Sequence, residues 1–130
     1  MVGLPMFSLS LIARYFQGEL PASAIAAAVG TVPTAQLGGS IPIYLHEDQP
    51  LTVTAADVRT LLHAYLAGEL SVSVVGYVAD ALGMSEYVAF VPVEVQDVLE
   101  CTTDPEVNGP LDEPMARALL KELADLPPQA

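Results

Sequence analysis

The group of side chains best suited to chemistry in the first half of the chain is His46-Glu47-Asp48. An imidazole beside two carboxylates can carry protons or ligate a metal ion. Only one further histidine occurs, His63 on a predicted helix, so a zinc site would need carboxylates to complete its ligand set. Because Gln49-Pro50 follows directly, we favour a solvated turn over a metal or acid–base site. We predict no metal and no cofactor.

Nucleophilic catalysis lacks its usual sequence features. No Gly-x-Ser-x-Gly turn presents a serine nucleophile, and no glycine-rich loop of the nucleotide-binding types occurs. The single cysteine, Cys101, follows Glu100 and lies near Asp97 and Asp104 in the sequence. These carboxylates are expected to raise its pKa and reduce its reactivity. We therefore predict a structural or surface thiol and no enzymatic activity.

Acidic side chains are concentrated in the second half of the chain. The formal net charge is −12, from 16 acidic and 4 basic side chains. A spacing of three residues places carboxylates on one face of a predicted helix, and the following loop adds two more. This surface could dock on a basic protein; an ordinary solvated face is the alternative. The candidate partner-binding residues are Glu94, Asp97, Glu100, Asp104 and Glu106.

The charge balance and the cysteine count narrow the classes of partner and compartment. Nucleic acid and anionic membranes both favour clustered Lys and Arg, so neither is a predicted partner. One cysteine cannot form an internal disulfide, which fits a reducing, cytoplasmic compartment. The N-terminus lacks the basic region and cleavage pattern of a signal peptide. Residues 20–45 carry no charge but are interrupted by Pro and Gly, so we predict burial or self-association rather than a membrane span.

Apolar periodicity and capping residues predict a mainly α-helical bundle of five or six short helices in one domain, 1–130. Its central stretch, 61–83, combines a helix, a glycine turn and a second helix, a unit that we call a glycine corner. A shift of 50 residues aligns Tyr15, Gly18 and Glu19 with the equivalent Tyr, Gly and Glu of this stretch. Either the chain contains a degenerate repeat, 8–57 and 58–125, or capping requirements made two corners converge. Predicted N-caps are Ser8 or Ser10, Thr54, Ser71 and Asp112.

Extended structure is predicted near residues 41–53, where Ile41–Leu45 and Leu51–Val53 could form one short β-hairpin. Pro42 would restrict its pairing to an edge. Tyr87–Val91 also has the β-branched and aromatic composition of an extended segment.

Three segments together resemble a family of small, acidic, helical bacterial proteins. They are LLHAYLAGELSVSVVGYVADALG, then the helix VEVQDVLE, then DPEVNGPLDEPMARALLKEL. In this order they resemble immunity proteins of the colicin-like and contact-inhibition types, over about residues 58–124. The resemblance implies binding and inhibition of a toxin, often a nuclease, through an acidic surface, with no catalytic residues.

Two functional hypotheses follow from the sequence. The first is a non-enzymatic protein-binding protein, immunity-like, that uses the acidic surface to bind a basic partner such as a toxin domain. The alternative is a structural or oligomeric helical protein, a homodimer for example, that associates through residues 20–45.

Overall fold

The computed structural model describes residues 7–30, 45–103 and 111–126. Within these ranges the chain is mainly helical, with one pair of short strands, as the sequence predicts. The elements in chain order are α1 (Leu9–Phe16), α2 (Ala22–Gly30), β1 (Leu51–Thr54), α3 (Ala55–Leu66), α4 (Val72–Met84), β2 (Val88–Val91), α5 (Glu94–Glu100) and α6 (Glu113–Ala124).

Four helices begin at side chains that cap their free backbone N–H groups. Ser8, Ser71 and Asp112 each accept a hydrogen bond from the N–H three residues on. At α3 the bond is reciprocal, because Thr54 accepts from the Asp57 N–H while the Asp57 carboxylate accepts from the Thr54 N–H. The predicted caps are thus confirmed, with Ser8 rather than Ser10 at α1.

Both glycine corners have the same backbone geometry. Gly18 and Gly68 adopt φ values of +82° and +79°, in the left-handed region where a side chain is disfavoured. The N–H of each glycine donates to the tyrosine carbonyl three residues earlier, at 3.0 Å in both cases. The next helix then starts four residues after each glycine, at Ala22 and at Val72.

The strand pair differs from the predicted hairpin. β1 contains Leu51–Val53 as predicted, but its partner is β2, and the two strands run parallel with Leu51 opposite Val88. Parallel strands need a long crossover, which α3 and α4 provide. The first half of the predicted hairpin, residues 41–44, lies outside the described residues.

A second parallel contact repeats this arrangement around α1. Ser8 pairs with His46 in an isolated parallel bridge, in which the His46 N–H donates to the Phe7 carbonyl and the Leu9 N–H to the His46 carbonyl. In both cases the N-cap residue of the first helix takes part in the pairing, Ser8 with His46 and Thr54 with Val91. Each glycine corner therefore lies between a capped helix start and a later residue that pairs with it in parallel. The repeat bounds 8–57 and 58–125 stay a prediction.

One core joins all of these elements. Each helix contributes side chains with almost no exposed surface, and Val53 contributes from β1. The largest fully buried side chains include Leu9, Ile12, Ile25, Leu61, Leu62, Leu82, Leu99 and Leu123. Tyr65 fixes the segment before α6, because its hydroxyl donates to the Leu111 carbonyl at 3.2 Å.

The remaining differences from the sequence prediction are local. α4 continues through Gly83 to Met84, since a glycine near a helix end can also stay helical. Within α4, a Cβ atom at Gly76 would lie 3.5 Å from the carbonyl oxygen of Thr102, just after α5. No helix in the described ranges has the length and apolar character needed to span a bilayer.

Candidate acidic binding surface

The exposed side of α5 carries the three carboxylates that the sequence places on one helical face. Glu94, Asp97 and Glu100 are all exposed, while Val95 and Leu99 on the opposite side are buried. Glu100 accepts a hydrogen bond from the Gln96 amide at 3.0 Å, one turn earlier. The helix therefore presents its acidic side to solvent because its apolar side is needed for the core.

Packing of α6 against α5 brings a further carboxylate to this surface. Burial raises the pKa of the half-buried Cys101 thiol, and the charges of Glu122, Asp97 and Glu100 raise it further. Glu122 is exposed and lies within electrostatic reach of the same thiol as Asp97 and Glu100. We call Glu94, Asp97, Glu100 and Glu122 the acidic face.

The sequence predicts a raised pKa for the Cys101 thiol, and the structure agrees in direction. The main cause is different. Burial, rather than neighbouring charge, has the largest effect on Cys101, and Glu122 has the largest effect among the carboxylates. Glu122 follows Lys121 in sequence, so its place beside α5 depends on how the two helices pack. Asp104 and Glu106, the other two predicted patch residues, lie outside the described residues.

The two carboxylates of His46-Glu47-Asp48 are engaged at different places. Glu47 accepts a hydrogen bond from the Ser85 hydroxyl, after α4, whereas Asp48 accepts from the N–H of Ser10 at 3.0 Å and from its hydroxyl. These bonds to Ser10 lower the pKa of Asp48. Among the described residues no group of three potential ligands is placed to hold a metal ion.

Asp48 instead completes the start of α1. Ser10 is the second residue of that helix, so its N–H has no partner within the helix. The Asp48 carboxylate supplies that partner and places a negative charge at the positive end of the helix dipole. The cluster is therefore exposed, as predicted for a turn, but its carboxylates tie α1 and the end of α4 to residues 45–50.

A groove that the sequence does not predict runs between the first glycine corner and α3. It has a volume of about 640 Å³, and Tyr15, Arg59, His63 and Glu69 are among its lining residues. Burial raises the pKa of the Tyr15 phenol, and the charge of Glu69 raises it further. The groove holds both signs of charge and opens widely to solvent, unlike the enclosed apolar pockets that bind small molecules.

The uncharged segment is buried along one side of α2, whereas Pro21, Ser23 and Ala27 are exposed. Ile25, Ala28 and Val29 of α2 belong to the core of the chain itself. Burial in the core, one of the two predicted outcomes for this segment, is thus observed for α2, while residues 31–44 lie outside the described residues.

Comparison with protein-family models, with curated proteins and with solved structures finds no match to this chain.

Proposed function

We propose that this chain is a non-enzymatic protein-binding protein whose acidic face docks on a basic surface of a protein partner. The observation that carries the proposal is the row of exposed carboxylates on α5, Glu94, Asp97 and Glu100. The neighbouring helix α6 packs on α5 and carries the exposed Glu122. A toxin domain is the class of basic partner suggested by the resemblance of residues 58–124 to immunity proteins.

The charges of the two helices favour a basic partner. Arg117 on α6 is paired with Glu113 at 2.9 Å, which leaves Lys121 as the other cation of these helices. The acidic face therefore keeps a net negative charge. Such a surface attracts an oppositely charged protein during encounter and repels acidic ones.

Association through residues 20–45 has less support. The apolar side chains of α2 are already buried within one chain, so they offer little surface to a second copy. Acid–base chemistry at His46-Glu47-Asp48 is likewise weakened, because both carboxylates are engaged by serines at different places.

The test is capture of partners from extracts of the source organism, followed by affinity measurement with each purified partner. The site variant is Asp97→Asn/Glu100→Gln, which removes two charges and keeps side-chain size. The control variant is Glu19→Gln/Glu69→Gln, which removes two exposed charges at equivalent positions of the two glycine corners.

We expect the site variant to bind its partner about tenfold more weakly at low salt, with the difference shrinking at high salt because exposed charges are screened. The control variant should bind like wild type. Equal binding by wild type and the site variant at low salt would refute the role of the acidic face.

A further inference from the structure

The outer edge of β2 is a second feature suited to a protein partner. Within the described residues the sheet has two strands, so β2 pairs on one side only. The Leu51 N–H donates to the Tyr87 carbonyl at 3.0 Å. Because the backbone groups of successive residues in a strand point to opposite sides, this bond determines which residues of β2 bond to β1. Tyr87, Ala89 and Val91 therefore direct their backbone groups to β1, and Val88 and Phe90 direct theirs outward. The Val88 N–H makes a long bond of 3.4 Å to Ser85.

Apolar side chains accompany this edge. The described residues include five large apolar side chains that are exposed, and four of them, Met84, Tyr87, Val91 and Val93, fall between the end of α4 and the start of α5. Tyr87 and Val91 lie on the same face of the strand because side chains alternate. An added strand could therefore bond to the backbone of β2 and pack on these two side chains.

The charges around β2 specify the partner. Glu86 and Glu94 flank the strand and are exposed, and Glu47 is held beside it by Ser85. No lysine or arginine occurs anywhere between Arg59 and Arg117. A second copy pairing through the same edge would bring these carboxylates against their own equivalents, which is unfavourable. A strand carrying basic side chains would neutralise them.

We propose that the outer edge of β2 binds an extended segment of a protein partner in which apolar residues alternate with lysine or arginine. This inference rests on the proposed function and adds a mode of recognition to it: main-chain pairing at β2, beside charge attraction at the acidic face. Open strand edges are usually blocked by charged or bulged residues, whereas the exposed residues of β2 itself, Ala89 and Val91, are apolar.

The experiment uses a capped heptapeptide of alternating lysine and valine as the probe, with amide hydrogen exchange of the full chain as the readout. We expect the peptide to slow exchange of the outward Phe90 amide at least tenfold and to leave the Ala89 amide, which faces β1, nearly unchanged. A peptide with every amide N-methylated keeps the charges, but its methyl groups replace the donors and block close approach of its backbone to β2, so it should protect nothing.

Variants of the protein distinguish peptide binding at the outer edge of β2 from binding at the acidic face. Tyr87→Ser/Val91→Ser should weaken peptide binding about tenfold, whereas Val72→Ser, which removes an exposed valine at the start of α4, should not. Asp97→Asn/Glu100→Gln should leave the protection of Phe90 in place at saturating peptide.

Three results would overturn the inference, each distinguishable from failure of the acidic face. If the peptide perturbs Asp97 and Glu100 but does not protect Phe90, it binds at the acidic face and not at β2. The proposed function would then stand, and the inference about the edge would fail. Protection of Phe90 that grows with protein concentration alone would identify a second copy as the occupant. Absence of peptide binding at millimolar concentration would exclude the edge as a strand acceptor.

Discussion

Asp48 shows how a residue can look catalytic in sequence and act as a cap in the fold. Its carboxylate accepts two hydrogen bonds from Ser10 at the start of α1, across a large sequence separation. These bonds favour the ionised form, so the pKa of Asp48 in the folded chain falls below its ordinary value of 3.8. Such a group stabilises the fold only where it is ionised.

We predict that Asp48→Ala lowers the free energy of unfolding at pH 7 by roughly 0.5 to 1 kcal/mol, the lower part of the range for N-caps because the contact is exposed. The contribution of the Asp48 carboxylate to stability is fully present above its ordinary pKa of 3.8. It is lost as the pH falls through the lower pKa that Asp48 has in the folded chain. Urea denaturation at several pH values between 7 and 2 measures it. Gln49→Ala, at the adjacent exposed residue, is the control; a deficit that persists at pH 2 would contradict the explanation.

At the scale of elements, the glycine corner depends on one backbone conformation. A methyl group at Gly68 would meet no atom within 4 Å, so the positive φ alone sets the cost of a side chain there. Gly83 also has open space around it but lies within α4, where alanine is the better helix former.

We predict opposite effects for the same substitution at these two positions. Gly68→Ala should destabilise the fold by about 1 to 2 kcal/mol, and Gly83→Ala should stabilise it by up to about 1 kcal/mol. Thermal and urea unfolding of both variants measure the difference. Destabilisation of similar size at both positions would mean that the corner glycine is not selected for its φ.

The elements that the sequence predicts are those set by neighbouring residues. The caps at Thr54 and Ser71 and the stop at Gly68 need only nearby N–H groups and one φ value, so they are readable within a few residues. The partner of β1 cannot be read from nearby residues. Nothing in Leu51–Thr54 distinguishes pairing within a nearby hairpin from pairing with a strand that follows two helices. Glu122 reaches the acidic face for a similar reason, since packing of α6 on α5 places it there.

At the scale of the whole molecule, the parallel pairing of β1 with β2 is the feature that most constrains the chain. Thr52 and Ala89 are direct partners in the register and are both exposed. Directly paired residues lie within the Cα separation that a disulfide requires, whereas partners two residues out of register do not.

We predict that Thr52→Cys/Ala89→Cys, in a Cys101→Ser background, forms a disulfide on mild oxidation and raises the free energy of unfolding by about 3 to 4 kcal/mol, from the loop-entropy model. Thr52→Cys/Val91→Cys places its second thiol on the same exposed face but out of register, and it should stay reduced. Mass spectrometry measures disulfide formation, and urea denaturation measures the free energy of unfolding. Equally ready oxidation of both pairs would rule out the parallel register.

The dual role of Ser8 and Thr54, each an N-cap and a strand partner, has a consequence for the order of events in folding. Each glycine corner forms from residues that are close in sequence. The parallel contact that accompanies it instead closes a loop that contains both helices of the corner. Loop closure costs entropy before any contact is gained. The helices should therefore assemble first and the parallel contacts last, so a cross-link between positions 52 and 89 should mainly slow unfolding. Stopped-flow comparison of its oxidised and reduced forms distinguishes this order from early strand pairing, for which the cross-link would instead speed folding.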